Sequence, residues 1–381
     1  MSETPTPPPG PARGPSKKRI ILARTLTVIG VLLVLVSVLA NYVKREALDE
    51  DRFRSTSRAI IADDAIRDQL ALTLVDQLYS NTDVADSVKA KLPENLQSLA
   101  VPIAGLARNA TETAAKRLLE RPRIQDLFVN AASLAQRQFV AVLDGDTQRL
   151  ETTNGKVVLD LRPILIRLGS RFDVLESKIP PQAGQVTILE SDQLKTGQRL
   201  TRALRFTANW IWALAILAWA GAILLAKGRR RLEVRAIAIG FLSAGLLILV
   251  VRGLSERYFV NHLVESDSVK PAAQNAFEII TNLLKGAGWT AVIVGIVALA
   301  GVWLTGPGRR ASQARQALAP HLSGAGAYAA TIGGYLLLLW WRPTPQFGYW
   351  VNALIFFVLL MIGTEVVRRQ LAREAPPAAA A

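Results

Sequence analysis

Six long apolar stretches limit this chain to a narrow range of folds, because each is long enough to cross about 30 Å of hydrocarbon as a helix. They run from Ile20 to Val43, Phe206 to Ala226, Ala236 to Val251, Ala287 to Thr305, Gly324 to Trp341 and Trp350 to Val367. The third and fifth are the shortest. A chain of 381 residues, half of them hydrophobic, with mean hydropathy +0.25, does not need such runs to build a soluble core. The expected fold is therefore mainly α, a six-helix transmembrane bundle with a large extracytoplasmic helical domain carrying a small β-hairpin or three-stranded sheet.

Basic residues orient the bundle, since Lys and Arg flanking membrane spans are retained in the cytoplasm. Lys17, Lys18 and Arg19 precede the first run, and Lys227, Arg229, Arg230, Arg231 and Arg235 join the second to the third. Arg309, Arg310 and Arg315 join the fourth to the fifth, and Arg368, Arg369 and Arg373 follow the sixth. All four clusters fall on one side. The expected location is a multi-pass protein of the cell membrane with both termini cytoplasmic. Trp210, Trp212, Trp289, Trp340, Trp341 and Trp350 fall at the opposite ends of the runs, where indole rings favour the headgroup level; Trp219 and Trp303 do not. The basic start and Ala40 in "SVLANYV" leave a cleaved signal peptide as the alternative for the first run, whose apolar length favours an uncleaved anchor.

The expected division follows from this pattern. Residues 1–19, with "TPTPPPGPARGP", form a disordered cytoplasmic tail, and residues 20–43 form the first transmembrane helix. Residues 44–205 form an extracytoplasmic α+β domain, 206–368 a five-helix transmembrane region with an outer helical loop at 253–286, and 369–381 a cytoplasmic tail. In the outer domain Ile66, Leu70, Leu74 and Leu78 recur every fourth residue, with Ser55 or Thr56 as N-cap. Pro93 and Pro102 are breaks or kinks in the following helices, and a further helix opens at Pro122 and stops at Gly145. Asn154-Gly155, flanked by alternating residues in "QRLETTNGKVVLDL", is a type I′ hairpin signal. A short helix is expected over "RPILIRLGSRFDVLESKI", a third strand over "GQVTILES", and after Ser191 a helix that continues into the second run.

Charge narrows the partners. Residues 44–205 hold 24 Lys or Arg against 22 Asp or Glu, so the net charge of +15 lies mainly in the loops and tails that orient the spans. The basic clusters fit anionic lipid headgroups of the bilayer rather than nucleic acid, which is not expected as a partner. An envelope protein partner and homo-oligomerisation are the other associations considered. There is no cysteine, hence no disulfide and no thiolate chemistry.

No catalytic, cofactor-binding or metal-ligating residue is assigned, and no cofactor is expected. His262 and Glu265 could share a helix face, with Asp267 nearby, but two ligands without a third favour a solvated interfacial helix over a metal pair. His321 is a weaker candidate still. Asp144 and Asp146 around Gly145 read as a helix stop, and Asp49, Glu50 and Asp51 as a juxtamembrane charge run, because neither has the ordered ligands of a calcium loop. No ionisable residue is central to any run. Glu365, near the cytoplasmic end of the last, is at helical spacing for pairing with Arg368 or Arg369. Small residues recur every fourth position at Ala236, Gly240 and Ala244; Ala287, Ala291 and Gly295; and Gly326, Ala330 and Gly334, which predicts close helix packing. "DSVK" occurs at Asp86 and Asp267 and reads as shared helix-start chemistry rather than a repeat.

The segment "STSRAIIADDAIRDQLALTLVDQL" after one apolar run, and "NGKVVLDLRPILIRLG" before the others, resemble a family of uncharacterised polytopic integral membrane proteins of actinobacteria. The resemblance implies a cell-envelope setting and carries over no catalytic residues. The expected function is an integral envelope protein, not an enzyme, whose extracytoplasmic domain binds, senses or scaffolds a partner. The alternative is a permease for an apolar or lipidic substrate. A membrane-embedded enzyme ranks last.

Overall fold

A computed structural model describes residues 17–80, 100–145, 152–153, 156–160, 185–226, 229–314 and 325–341, and residues 354–369 except 355, 359, 362 and 367. The described residues are overwhelmingly helical. In chain order the helices are α1 (Lys17–Val43), α2 (Glu50–Ala62), α3 (Asp64–Ser80), α4 (Ala100–Leu119), α5 (Pro122–Asp144), α6 (Ser191–Leu225), α7 (Arg230–Tyr258), α8 (Lys270–Leu304) and α9 (Ala325–Trp341). Single π-helical turns, Lys44–Leu48 and Phe259–Leu263, extend α1 and α7. Strands β1 (Thr152–Thr153), β2 (Lys156–Asp160) and β3 (Gln185–Glu190) form an antiparallel sheet in that order, with Thr153 opposite Lys156 and an irregularity between Val157 and Val158. The Asn154-Gly155 turn lies outside the described residues, as do Pro93 and the short helix expected over 162–179.

The six-helix bundle is corrected by the lengths of the helices. Among the described residues three are long and apolar enough to cross a membrane: Lys17–Leu48, Arg230–Leu263 and Lys270–Leu304. A fourth is added if Thr196–Ala208 and Trp210–Leu225, bent by 43° where they meet, count as one span. In the fifth apolar run the described helix is α9, whose 17 residues span about 26 Å at 1.5 Å per residue and which is not among those three. In the sixth run the helix is Phe356–Val366, shorter again. Apolar composition alone overcounted the spans.

The chain divides into two compact units, and α1, α6, α7 and α8 contribute residues to both. The first comprises residues 1–38, 209–251 and 283–381. Its helices meet through small residues, which let backbones approach closely. Gly30 lies against the Trp219 ring, Gly240 against Val31, Gly245 against the Gly288 carbonyl and Val292, and Gly295 against the backbone of Leu242. Ala23, Ala215, Ala222, Ala238, Ala244 and Ala291 are buried. Two of the three small-residue stripes, those on α7 and α8, are thus filled by neighbouring helices.

The second unit comprises residues 39–208 and 252–282. Here α2 packs on α5 and α3 on α4, each pair antiparallel. Ile61 of α2 and Val129 of α5 are fully buried, and the buried Ser133 donates to its own helix at the Val129 carbonyl. Ion pairs stitch the rims: Arg58 to Asp126, Arg137 to Glu50, Arg108 to Asp76 and Lys116 to Asp68. Exposed pairs of this kind contribute about 0.2–1 kcal/mol each, so the core and not the rim holds the pairs together.

Capping explains where the helices stop. The helix expected from Ser55 onward is two helices, because Asp63 accepts from the Ile66 amide at 3.0 Å and restarts the chain as α3. The cap of α2 is Asp49, which accepts from the Arg52 amide at 2.9 Å, rather than Ser55 or Thr56. Pro102 is the third described residue of α4, and the residues before Ala100 lie outside the described ones. Pro122 opens α5, and Gly145 closes it with φ +85°.

Candidate functional site

Polar side chains within the second unit gather where α1 and α7 run out into π-helical turns, a backbone irregularity frequent at functional sites. Glu46, in the first of these turns, is buried and accepts from Arg52 Nε at 3.2 Å and from Thr56 Oγ1 at 2.5 Å. Tyr42, one turn earlier, donates its hydroxyl to the Ile280 carbonyl at 3.2 Å. Both carboxylate oxygens of Glu46 therefore have donors.

Arg252 forms the other half of the cluster. Its side chain is only 10% exposed. Nε donates to Thr281 Oγ1 at 2.9 Å, one terminal nitrogen donates to Glu256 Oε2 at 3.2 Å, and the guanidinium lies 5.8 Å from the centre of the Phe277 ring. Gln274 Nε2 donates to the second Glu256 oxygen at 3.4 Å. The other terminal nitrogen of Arg252 is buried and has no acceptor among the described residues. A guanidinium has five N–H donors and stays charged, so the cluster holds a fixed cation with donor capacity to spare. Nearby, Asn275 Nδ2 donates to both oxygens of Asp63, joining α8 to the break between α2 and α3.

No family model, curated protein or solved structure matches this chain. The residues themselves must carry the functional reading.

The singled-out residues are not brought together. His262 stacks on Tyr258, ring centres 4.9 Å apart, and the helix ends before Val264, so Glu265 does not share a helical face with it. Asp267 pairs with Lys270 at 2.6 Å, and that hydrogen bond and charge hold its carboxyl below the usual range. Asp49 is a cap, Glu50 pairs with Arg137, and Asp144 pairs with Arg205 at 3.0 Å. Asp146, His321 and the first "DSVK" lie outside the described residues. No three His, Asp or Glu side chains stand within metal-binding reach among those described. Glu365 accepts from Arg368 at 2.9 Å, Arg369 at 2.6 Å and the Tyr328 hydroxyl at 2.6 Å, so it is enclosed by three donors.

Sequence reading missed Arg252, Glu46 and Glu233. Arg252 directly follows the apolar run ending at Val251 and looks like an ordinary flanking charge; only the fold buries it. Glu233 lies in the first turn of α7, near the positive end of the helix dipole, and is 6% exposed. It accepts from Thr27 Oγ1 of α1 at 3.2 Å. The recoverable signal is that α7 begins at Arg230, six residues before the apolar run, which brings Glu233 into the helix.

Proposed function

We propose that this chain is an integral membrane protein of the cell envelope whose second unit lies outside the cytoplasm and binds, senses or scaffolds a protein partner. Multi-pass topology, cytoplasmic termini and the kinship with polytopic actinobacterial membrane proteins belong to the same proposal. The observation that carries it is the contrast between the two units. The first presents exposed Leu214, Ile216, Leu217, Leu224, Leu246 and Leu247, a surface suited to lipid, on helices that meet through small residues. The second is laced with surface ion pairs, which favour water. Its α3–α4 pair also exposes Leu74, Ile103 and Leu106, apolar side chains in a charged setting that suit recognition of another protein.

A photo-crosslinking residue placed at Leu106 should yield one discrete protein adduct in intact cells. The same residue at Leu224 should capture lipid alone. If Leu106 also gives lipid alone, or nothing, the second unit is not a protein-binding module. Solute uptake by the reconstituted protein, driven by a proton or sodium gradient, would favour the permease reading instead.

A further inference from the structure

We propose that Arg252 recognises the phosphate of a membrane phospholipid headgroup. One terminal nitrogen of its guanidinium is buried without an acceptor, while Nε and the other terminal nitrogen are fixed by Thr281 and Glu256. A buried charged donor left unmade carries the full desolvation cost of that group, so an acceptor from outside the chain is favoured there. A phosphate oxygen fits best, because the planar fork and permanent charge of arginine match the geometry and charge of a phosphate. The atom is covered, so binding requires the side chains around it to move to admit the acceptor.

Three observations point to a lipid as the source. Arg252 stands immediately after the apolar run Ala236–Val251 of α7, the position at which a spanning helix meets the headgroup layer. On the same helix Leu254 and Tyr258 are exposed, giving acyl chains a surface that a free phosphate would not use. Each of the two carboxylates in the cluster has a cationic partner, Glu256 in Arg252 and Glu46 in Arg52, so neither is left uncompensated to repel an anion. A water molecule would supply an acceptor, but would gain nothing from the apolar surface.

The inference rests on the membrane reading above, and the experiment separates the two. The full chain is recovered from the membrane fraction, purified in detergent and measured by native mass spectrometry and thermal shift. The probes are phosphatidylglycerol, diacylglycerol, which has the same chains without phosphate, and inorganic phosphate. The wild-type chain should bind phosphatidylglycerol about tenfold or more tightly over diacylglycerol, the effect of one charge-assisted hydrogen bond. Arg252→Gln should abolish that preference. Arg252→Lys, which keeps the charge but not the fork, should lose most of it and covers the case in which the glutamine variant fails to fold. Leu254→Ser should weaken lipid binding while leaving any response to inorganic phosphate unchanged. Equal binding of the two lipids by the wild-type chain, or an unchanged preference in Arg252→Lys, overturns the site. Stabilisation by inorganic phosphate equal to that by lipid overturns the lipid source. Absence of the chain from membranes overturns the membrane reading and this site together.

Discussion

Replacing Gly245 by valine should destroy the packing of α7 on α8. A Cβ at this position would stand 2.7 Å from the Gly288 carbonyl oxygen and 2.8 Å from the Val292 amide nitrogen. Both are backbone atoms of a long helix, so no rotamer change can make room, and the two helices must move apart. Overpacking that side chains can absorb costs about 1–3 kcal/mol, and a backbone clash lies at or beyond the upper end. The variant should therefore melt far below the wild-type chain in detergent or fail to accumulate. Gly301→Val on the same helix as Gly288 is the control, because nothing lies within 4 Å of a Cβ there, and its melting temperature should stay close to wild type. Equal behaviour of the two variants would mean that α7 and α8 do not pack as described.

The second unit should be most sensitive at Ile61. That side chain, in the last turn of α2, is 0% exposed, and truncation to alanine should cost about 2–5 kcal/mol through lost burial and the cavity left behind. Leu74, 48% exposed on α3, should tolerate the same change with about 0.5 kcal/mol or less. Urea titration of the full chain, read by protease resistance of α2 and α5, checks the difference. A similar midpoint for both variants would contradict the α2–α5 core.

Local signals in the sequence located the elements better than composition counted the spans. Pro122 and Gly145 bracket α5 because proline suits a first helical turn and glycine accepts the left-handed cap. The small-residue stripes of α7 and α8 marked helix contacts, since only glycine and alanine allow that approach. The span count was too high because hydropathy reports what a segment would bury, whereas crossing a bilayer also needs a long continuous helix, and among the described residues only three helices, or four with the bent pair, have both. The split of one expected helix at Asp63 was legible in hindsight, because a carboxylate that can cap competes with continuation through "ADDA". The polar cluster was not legible at all. Glu46 and Arg252 are 206 residues apart, and each resembles an interfacial charge until the fold buries it.

The central proposal is that the apolar helices lie in a membrane and that the second unit is outside the cytoplasm. The chain contains no cysteine, so a single introduced cysteine is its only thiol. Asp126 and Asp267 have exposed side chains in or beside the second unit, and Gly308 lies in the exposed turn after α8. In intact cells a membrane-impermeant maleimide should label Asp126→Cys and Asp267→Cys, and should label Gly308→Cys only after permeabilisation. Labelling of Gly308→Cys in intact cells while Asp126→Cys stays protected, or labelling of Asp126→Cys without Asp267→Cys, would contradict it.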